Sequence, residues 1–247
     1  MTTELLHVEV LDAIGGDIVS GTHPSGSVLT LEQLQVRYGA SRGIVRECMR
    51  VLETMGMLVS RRRVGLVVQD PSLWAVFDSR IIRWRLAGPG RHRQLATLTE
   101  LRLGVEPVAA RLAALRASDD ERDDLRAATA MIGAYVDADG EERHLEADVR
   151  FHTLLLRASK NDMYASLADV IAETLSSRRR QRPVSADDRR QAFALHELVM
   201  RAVIARDGDA AELAMHDLLT EVRSAIEAPA PDGQVVVDST PLAGGGR

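Results

Sequence analysis

The chain has 247 residues, 45% of them hydrophobic, 27% charged and only 3% aromatic, a composition of one or two globular domains rather than of a disordered chain or a fibre. No run approaches the roughly 18 apolar residues of a membrane helix, and the opening MTTELLHVEV lacks the basic and apolar regions of a secretion signal, so the expected location is the cytoplasm. The single cysteine, Cys48, excludes an internal disulfide and a thiolate zinc cluster, and the net charge of −5 hides a basic stretch in which seven arginines between Arg37 and Arg63 face only Glu47 and Glu53.

In chain order, Leu5, Val8, Leu11, Ile14, Ile18 and Val19 recur at helical spacing and predict a first helix over residues 5–20, ended by the turn-rich SGTHPSGS. A second helix fits Leu31 to Tyr38 and a third Arg42 to Met55, joined by Gly39-Ala40-Ser41 with Ser41 as N-cap. Two short helices around a glycine-containing turn predict a helix-turn-helix. After Gly56 the period changes: Met57-Leu58-Val59 and Leu66-Val67-Val68 read as two strands joined at Arg62 to Gly65, a β-wing. Asp70-Pro71 closes this unit, and the segment to Gly88-Pro89-Gly90 reads as a connector with a helical portion in which Trp74 and Trp84 pack between domains. From Leu95 to Glu227 alanine and leucine dominate, with breaks at Ser118-Asp119, Asp137-Gly140, Lys160-Asn161, Arg182-Pro183 and Asp207-Gly208. About six helices of ordinary length fit between these breaks.

The expected fold is therefore mainly α, a winged helix-turn-helix over residues 1–70, a connector over 71–92, an antiparallel helical bundle over 93–228 and a disordered tail over 229–247. On the third helix Ile44, Val45, Cys48, Met49 and Leu52 form an apolar face, while Arg42, Arg46 and Arg50 follow at i, i+4, i+8 on another. Arginines so placed at the start of a recognition helix chelate guanine edges or neutralise phosphates.

The segment GASRGIVRECMRVLETMGMLVSRRRVGLVV resembles the winged-helix signature of GntR-family bacterial transcription regulators, most tellingly in Val45-Arg46-Glu47 after Ser41-Arg42. Cys48 stands where the family usually has alanine, and Arg63 and Val64 replace the usual glycine and arginine of the wing tip. The basic run, the arginine face of the third helix and the resemblance together give a candidate DNA-contacting set of Arg37, Ser41, Arg42, Arg46, Arg50, Arg62, Arg63 and Gly65, with Arg62 and Arg63 standing in for the altered wing tip. The helical half is similar to the FadR subgroup, whose FCD domain senses a small carboxylate and carries the dimer interface. Three stretches carry that similarity: Glu100-Leu101-Arg102 running into Val105-Glu106-Pro107, Glu146 to His152, and Leu195-His196. SLWAVFDSRIIRWRL and the missing final histidine described below are similar to the galactonate-type, sugar-acid-responsive branch.

Asp148 and His152 are i, i+4 on one helix face, and His196 follows forty-four residues later on another helix. An aspartate with two imidazoles is a ligand set for zinc, nickel or manganese, or a hydrogen-bonding set for an effector's hydroxyls. The family's further histidine falls at Leu218, and His216, two residues away, is rotated by about 200° and expected at the surface. Arg102 in an apolar setting needs an anion: an effector carboxylate, or an internal acid such as Glu106 or Asp148. The effector set is thus Arg102, Asp148, His152 and His196. The expected partners are a palindromic operator, a small carboxylate such as an aldonate, and a second copy of the chain. The rival functions are a metal-dependent hydrolase or isomerase on the same trio, which lacks a recognisable base or nucleophile, and an effector-independent DNA-binding protein. His7, His23, His92 and His144 have no partner at ligand spacing, and the run Arg178-Arg179-Arg180 with Arg182 reads as a solvated helix end.

Overall fold

Helix α1 (Thr3–Val19) buries Val10, Leu11, Ile14 and Ile18 against α3 (Arg42–Thr54), whose Val45, Cys48, Met49 and Leu52 form the facing stripe. Leu5 and Val8, expected in this face, are exposed, because the packed stripe runs through Leu6, Val10, Leu11, Ile14 and Ile18 and those two positions are rotated out of it. The computed structural model describes residues 3–136, 141–179 and 186–227; the tail expected to be disordered and the Asp137-Gly140 and Arg182-Pro183 breaks lie outside them. Helix α2 (Leu31–Tyr38) opens on a reciprocal capping box between Thr30 and Gln33 and ends at Gly39, whose φ of 62° a side chain would resist. Ser41 caps α3 by accepting from the Ile44 amide, as the sequence indicates.

Strands β2 (Leu58–Arg61) and β3 (Gly65–Val68) form the predicted antiparallel wing, with Arg61 opposite Gly65. A third strand, β1 (Val28–Leu29), pairs with β3 and gives the order β1-β3-β2. The sequence does not announce this strand, because two residues hold no period-2 signal.

The connector contains a 3-10 turn at Pro71–Leu73 and then α4 (Ser79–Ala87). This helix is apolar on two sides. Ile81 and Trp84 enter the core of the winged unit, while Ile82 and Leu86 pack with Leu95, Leu98 and Val170 of the bundle. Trp84 Nε1 donates to Asp12 Oδ1 at 2.8 Å, and its ring lies where any Cβ on Gly15 of α1 would sit, 2.4 Å from that position. Arg83 reaches Asp12 of α1 at 3.7 Å and Glu173 of the bundle at 3.8 Å. Both tryptophans belong to the core of the winged unit, so they anchor the connector to that unit and do not pack between the domains as expected; Ile82 and Leu86 make the contact with the bundle.

The bundle comprises α5 (Arg91–Arg116), α6 (Asp119–Ala134), α7 (Glu141–Ala158), the single turn α8 (Asp162–Ala165), α9 (Ala168–Arg179), α10 (Ala186–Ile204) and α11 (Gly208–Glu227). Ala109, Ala110, Ala113 and Ala114 make one side of α5 smooth enough for α11 to lie closely along it. Helix α6 starts at Ser118 with a capping box to Glu121, and Asp119 and Asp120 add the negative charge that a helix N-terminus favours. Among the described residues no helix is long and apolar enough to cross a membrane.

Candidate functional site

Two surfaces concentrate the chemistry, one on the winged unit and one inside the bundle. On the first, Arg42, Arg46 and Arg50 of α3 and Arg61, Arg62 and Arg63 of the wing are all exposed. Among the described residues only Arg50 of this group has a side-chain partner, Glu47 at 3.0 Å. The other five guanidiniums are available to an anionic ligand, and a helix with an adjacent hairpin presenting them matches the shape of duplex DNA. Cys48, on the opposite side of α3, is fully buried, and burial pushes its thiol up to about 11, so it packs as a small apolar residue.

Two members of the sequence-derived set have other work. Arg37 donates through Nε and Nη2 to Asp17 Oδ2 at 3.0 and 2.8 Å, and Tyr38 donates to the same oxygen at 2.6 Å. Burial pushes the Asp17 carboxyl up, but the bonds from Tyr38 and Arg37 outweigh it and hold the group below its ordinary range. Arg37 thus ties α2 to α1. Gly65 has φ 121°, and a Cβ there would meet Val28 Cγ1 at 3.1 Å, so it serves the close approach of β3 to β1.

The wing tip carries a backbone conformation that its sequence resists. Arg63 has φ 63°, and the Val64 amide donates to the Arg61 carbonyl across the turn, an arrangement that favours glycine at the third position. Arg63→Gly is expected to stabilise the fold by about 0.5–1 kcal/mol while removing one wing charge. A thermal melt checks it, and an unchanged or lowered midpoint contradicts the strain.

Inside the bundle, α5 contributes Arg102 and Glu106, α7 contributes Asp148 and His152, and α10 contributes His196. The side chains of Arg102 and Glu106 are 2% and 0% exposed, and Arg102 Nε donates to Glu106 Oε1 at 2.5 Å. Arg102 Nε thus pairs with Glu106, one of the internal acids the sequence allowed for it. Arg102 Nη2 lies 3.3 Å from His152 Nε2 and so also reaches the centre. The other Glu106 oxygen accepts from His152 Nδ1 at 2.5 Å. Burial pushes Glu106 up, but the charges of Arg102 and His152 outweigh it and hold the carboxyl at about 2. Asp148 is likewise drawn well below its ordinary range, burial being outweighed by the adjoining His152 and His196 imidazoles.

The donor set can be tested for its fit to a metal. His196 Nδ1 lies 2.7 Å from the Ala192 carbonyl, which only accepts, so Nδ1 carries hydrogen. His152 Nδ1 carries hydrogen for the same reason, since its partner is a carboxylate. In the neutral rings both Nε2 atoms are then lone pairs, and they face Asp148 Oδ1 at 3.5 and 3.1 Å. Arg102 Nη2 lies within donating reach of His152 Nε2, whereas Asp148 Oδ1 and His196 Nε2 face each other as acceptors, a contact that a ring proton or a metal ion between them satisfies. The ligand atoms all lie within 4.8 Å of one another, and two donors each about 2.1 Å from a tetrahedral ion lie about 3.4 Å apart. The residues fit. Phe151 stands edge-on to both imidazoles and holds the ring planes apart. Leu218, at 3% exposure, fills the core at the position where the family's third histidine falls, and His216 is exposed as its two-residue offset requires.

The bacterial gntR regulatory family model matches residues 6–68 and the FCD domain model matches residues 97–221. The chain belongs to the GntR family, with an FCD domain after its winged helix. It is 30% identical over 209 residues to the galactonate operon transcriptional repressor of Escherichia coli K12, covering 83% of this chain and 90% of that one. It is 29% identical to YieP of the same organism, an HTH-type transcriptional regulator of uncharacterised role, over 82% of this chain and 87% of YieP. A solved GntR structure from Streptococcus agalactiae superposes with a TM-score of 0.52 at 25% identity, covering 89% of this chain and 99% of the other.

This GntR-family chain is a DNA-binding transcription regulator, a class without enzymatic chemistry, and its FCD domain is of the kind that binds small-molecule effectors. The bundle brings together all four residues expected in its effector centre, Arg102, Asp148, His152 and His196. It adds Glu106, which the sequence offered only as an ion-pair partner at i+4 from Arg102. Asp17 had no such signal, being separated from Arg37 by twenty residues. The side chains of the second basic run, Arg178-Arg179-Arg180 with Arg182, lie outside the described residues.

Proposed function

We propose that this chain is a repressor that binds a palindromic operator as a homodimer and is released by a small carboxylate of the sugar-acid class. Residues 1–70 act as reader, 71–92 as connector and 93–228 as sensor, and the protein works in the cytoplasm, where the DNA is. The observation that carries this is the buried polar centre of Arg102, Asp148, His152 and His196, joined to the reader through a helix, α4, whose two sides belong to the two cores. The name of its relative, the galactonate operon transcriptional repressor, supports a hydroxylated acid as the ligand.

In the reader, Arg42 and Arg46 take base edges and Arg50, Arg62 and Arg63 take phosphates. In the sensor, Asp148, His152 and His196 would hold a divalent ion, zinc, nickel or manganese, with the remaining coordination positions open because Leu218 supplies no donor. Such an ion supplies positive charge for carboxylate and hydroxyl oxygens. Arg102 Nη2, already at the centre, donates to the acid's carboxylate. Ordering the acid between α5, α7 and α10 shifts the bundle between two packings, and α4 carries that difference to the reader.

Thermal melts of metal-loaded protein against a panel of sugar acids and short hydroxy and dicarboxylic acids test this. One acid at a hundredfold excess over its Kd is expected to raise the midpoint by about 5–10 °C. No shift with any carboxylate, in metal-loaded folded protein, would leave a DNA-binding regulator whose signal is of another class.

A further inference from the structure

Glu106 is fully enclosed, yet it is neither a member of the ligand trio nor a contact for DNA. Its two oxygens face different helical neighbours: Oε1 receives Arg102 Nε from its own helix, and Oε2 receives His152 Nδ1 from α7. We propose that Glu106 is a positioning residue that fixes the tautomer of His152 and thereby creates the donor set formed by Asp148, His152 and His196. The inference rests on the proposed metal and effector centre.

A neutral imidazole carries one ring hydrogen, and the nitrogen that lacks it is the only one able to bind a metal. Glu106 is acceptor-only while ionised, so its contact at 2.5 Å places the hydrogen on Nδ1 and leaves the lone pair on Nε2. That nitrogen is the one turned to Asp148 Oδ1. His196 reaches the same state by a different route, since its Nδ1 donates to the Ala192 carbonyl one turn back on its own helix. The tautomer of His196 is therefore set by α10 alone, whereas that of His152 depends on the packing of α5 against α7. Arg102 has a second role here. By donating to Oε1 it fixes the orientation of the Glu106 carboxylate and leaves Oε2 turned to His152 Nδ1.

This arrangement makes an unusual forecast for the isosteric variant. In Glu106→Gln the single amide oxygen is claimed by Arg102 Nε–H, which can only donate. The amide NH2 then faces His152 Nδ1, which must accept, and the ring hydrogen moves to Nε2, where it blocks the ligand position. Replacing Arg102 as well frees the amide to turn its oxygen back to Nδ1. A role in packing alone has no reason to be repaired by a second substitution.

The experiment uses the full chain loaded with zinc and labelled with 15N-histidine, with long-range proton–nitrogen spectra for the tautomer and competition with a chelating dye for affinity. The wild type is expected to show a protonated Nδ1 and a zinc-bound Nε2 at His152. E106Q is expected to bind zinc about 10–100-fold more weakly, and R102M/E106Q to regain most of that loss with the original tautomer. A wild type with zinc on Nδ1 overturns the proposal, as does an E106Q protein with wild-type affinity and unchanged tautomer. A wild type that binds no zinc overturns the metal centre itself, and the positioning role with it. Should E106Q fold poorly, the wild-type spectrum and the neutral double variant still decide.

Discussion

Arg102→Ala is expected to lower folding stability by about 3 kcal/mol, the lower end of the range for breaking a buried ion pair, and to abolish the response to the effector. The guanidinium and its partner are almost wholly removed from water, so deleting Arg102 leaves the Glu106 carboxylate enclosed with one of its two partners gone. His152 remains to donate to the other oxygen, which is why the loss sits at the lower end. Urea unfolding measures it as a fall in midpoint at constant slope. Arg102→Met together with Glu106→Gln, which removes both charges and keeps the volume, is expected to recover most of the stability. A loss below about 0.5 kcal/mol in Arg102→Ala would show that water reaches the pair and that the centre is more open than its burial states.

Arg46→Ala is expected to weaken operator binding by about 10–100-fold, or 1–3 kcal/mol, and to relax sequence preference at one base pair in each half-site. Arg46 is exposed on α3 with no partner among the described residues, so its removal should change stability by less than about 0.5 kcal/mol. Arg50, already paired with Glu47, is expected to give a smaller loss, uniform across sequences, with a shallower dependence on salt. Fluorescence anisotropy against specific and scrambled duplexes separates the two. Equal weakening on both duplexes by Arg46→Ala would make it a phosphate contact rather than a reader of bases.

The reader was legible because its signals are local. A glycine at Gly39, a cap at Ser41 and an apolar stripe through Leu52 lie within a few residues of one another, and each acts through the nearest turn. The strands of the wing could be found from their change of period, but β1, with two residues, could not. The effector trio was legible in part: Asp148 and His152 announce themselves at i, i+4, whereas His196 joins them only through the packing of α7 and α10. Arg102 shows why burial alone does not assign a partner. An arginine in an apolar stretch requires an anion, and both a ligand and Glu106 satisfied that requirement on paper; the rotamer that brings Nε to Glu106 is a property of the folded helix. Arg37 was assigned to DNA by its place in a basic run, and the acid that claims it lies on a different helix. Long-range pairs of this kind are set by tertiary approach, and local sequence carries no trace of it.

Coupling between a buried acid-binding centre and a DNA-reading surface on one chain, as proposed, is reciprocal. The most direct measurement is operator affinity, on duplexes recovered by selection from random DNA, with and without the acid identified by thermal melts. Saturating acid is expected to lower operator affinity by about 5–150-fold, and saturating operator to lower affinity for the acid by the same factor. An operator affinity unchanged by an acid that demonstrably binds the protein would contradict the account, leaving a DNA reader and a ligand site that share a chain without sharing a mechanism.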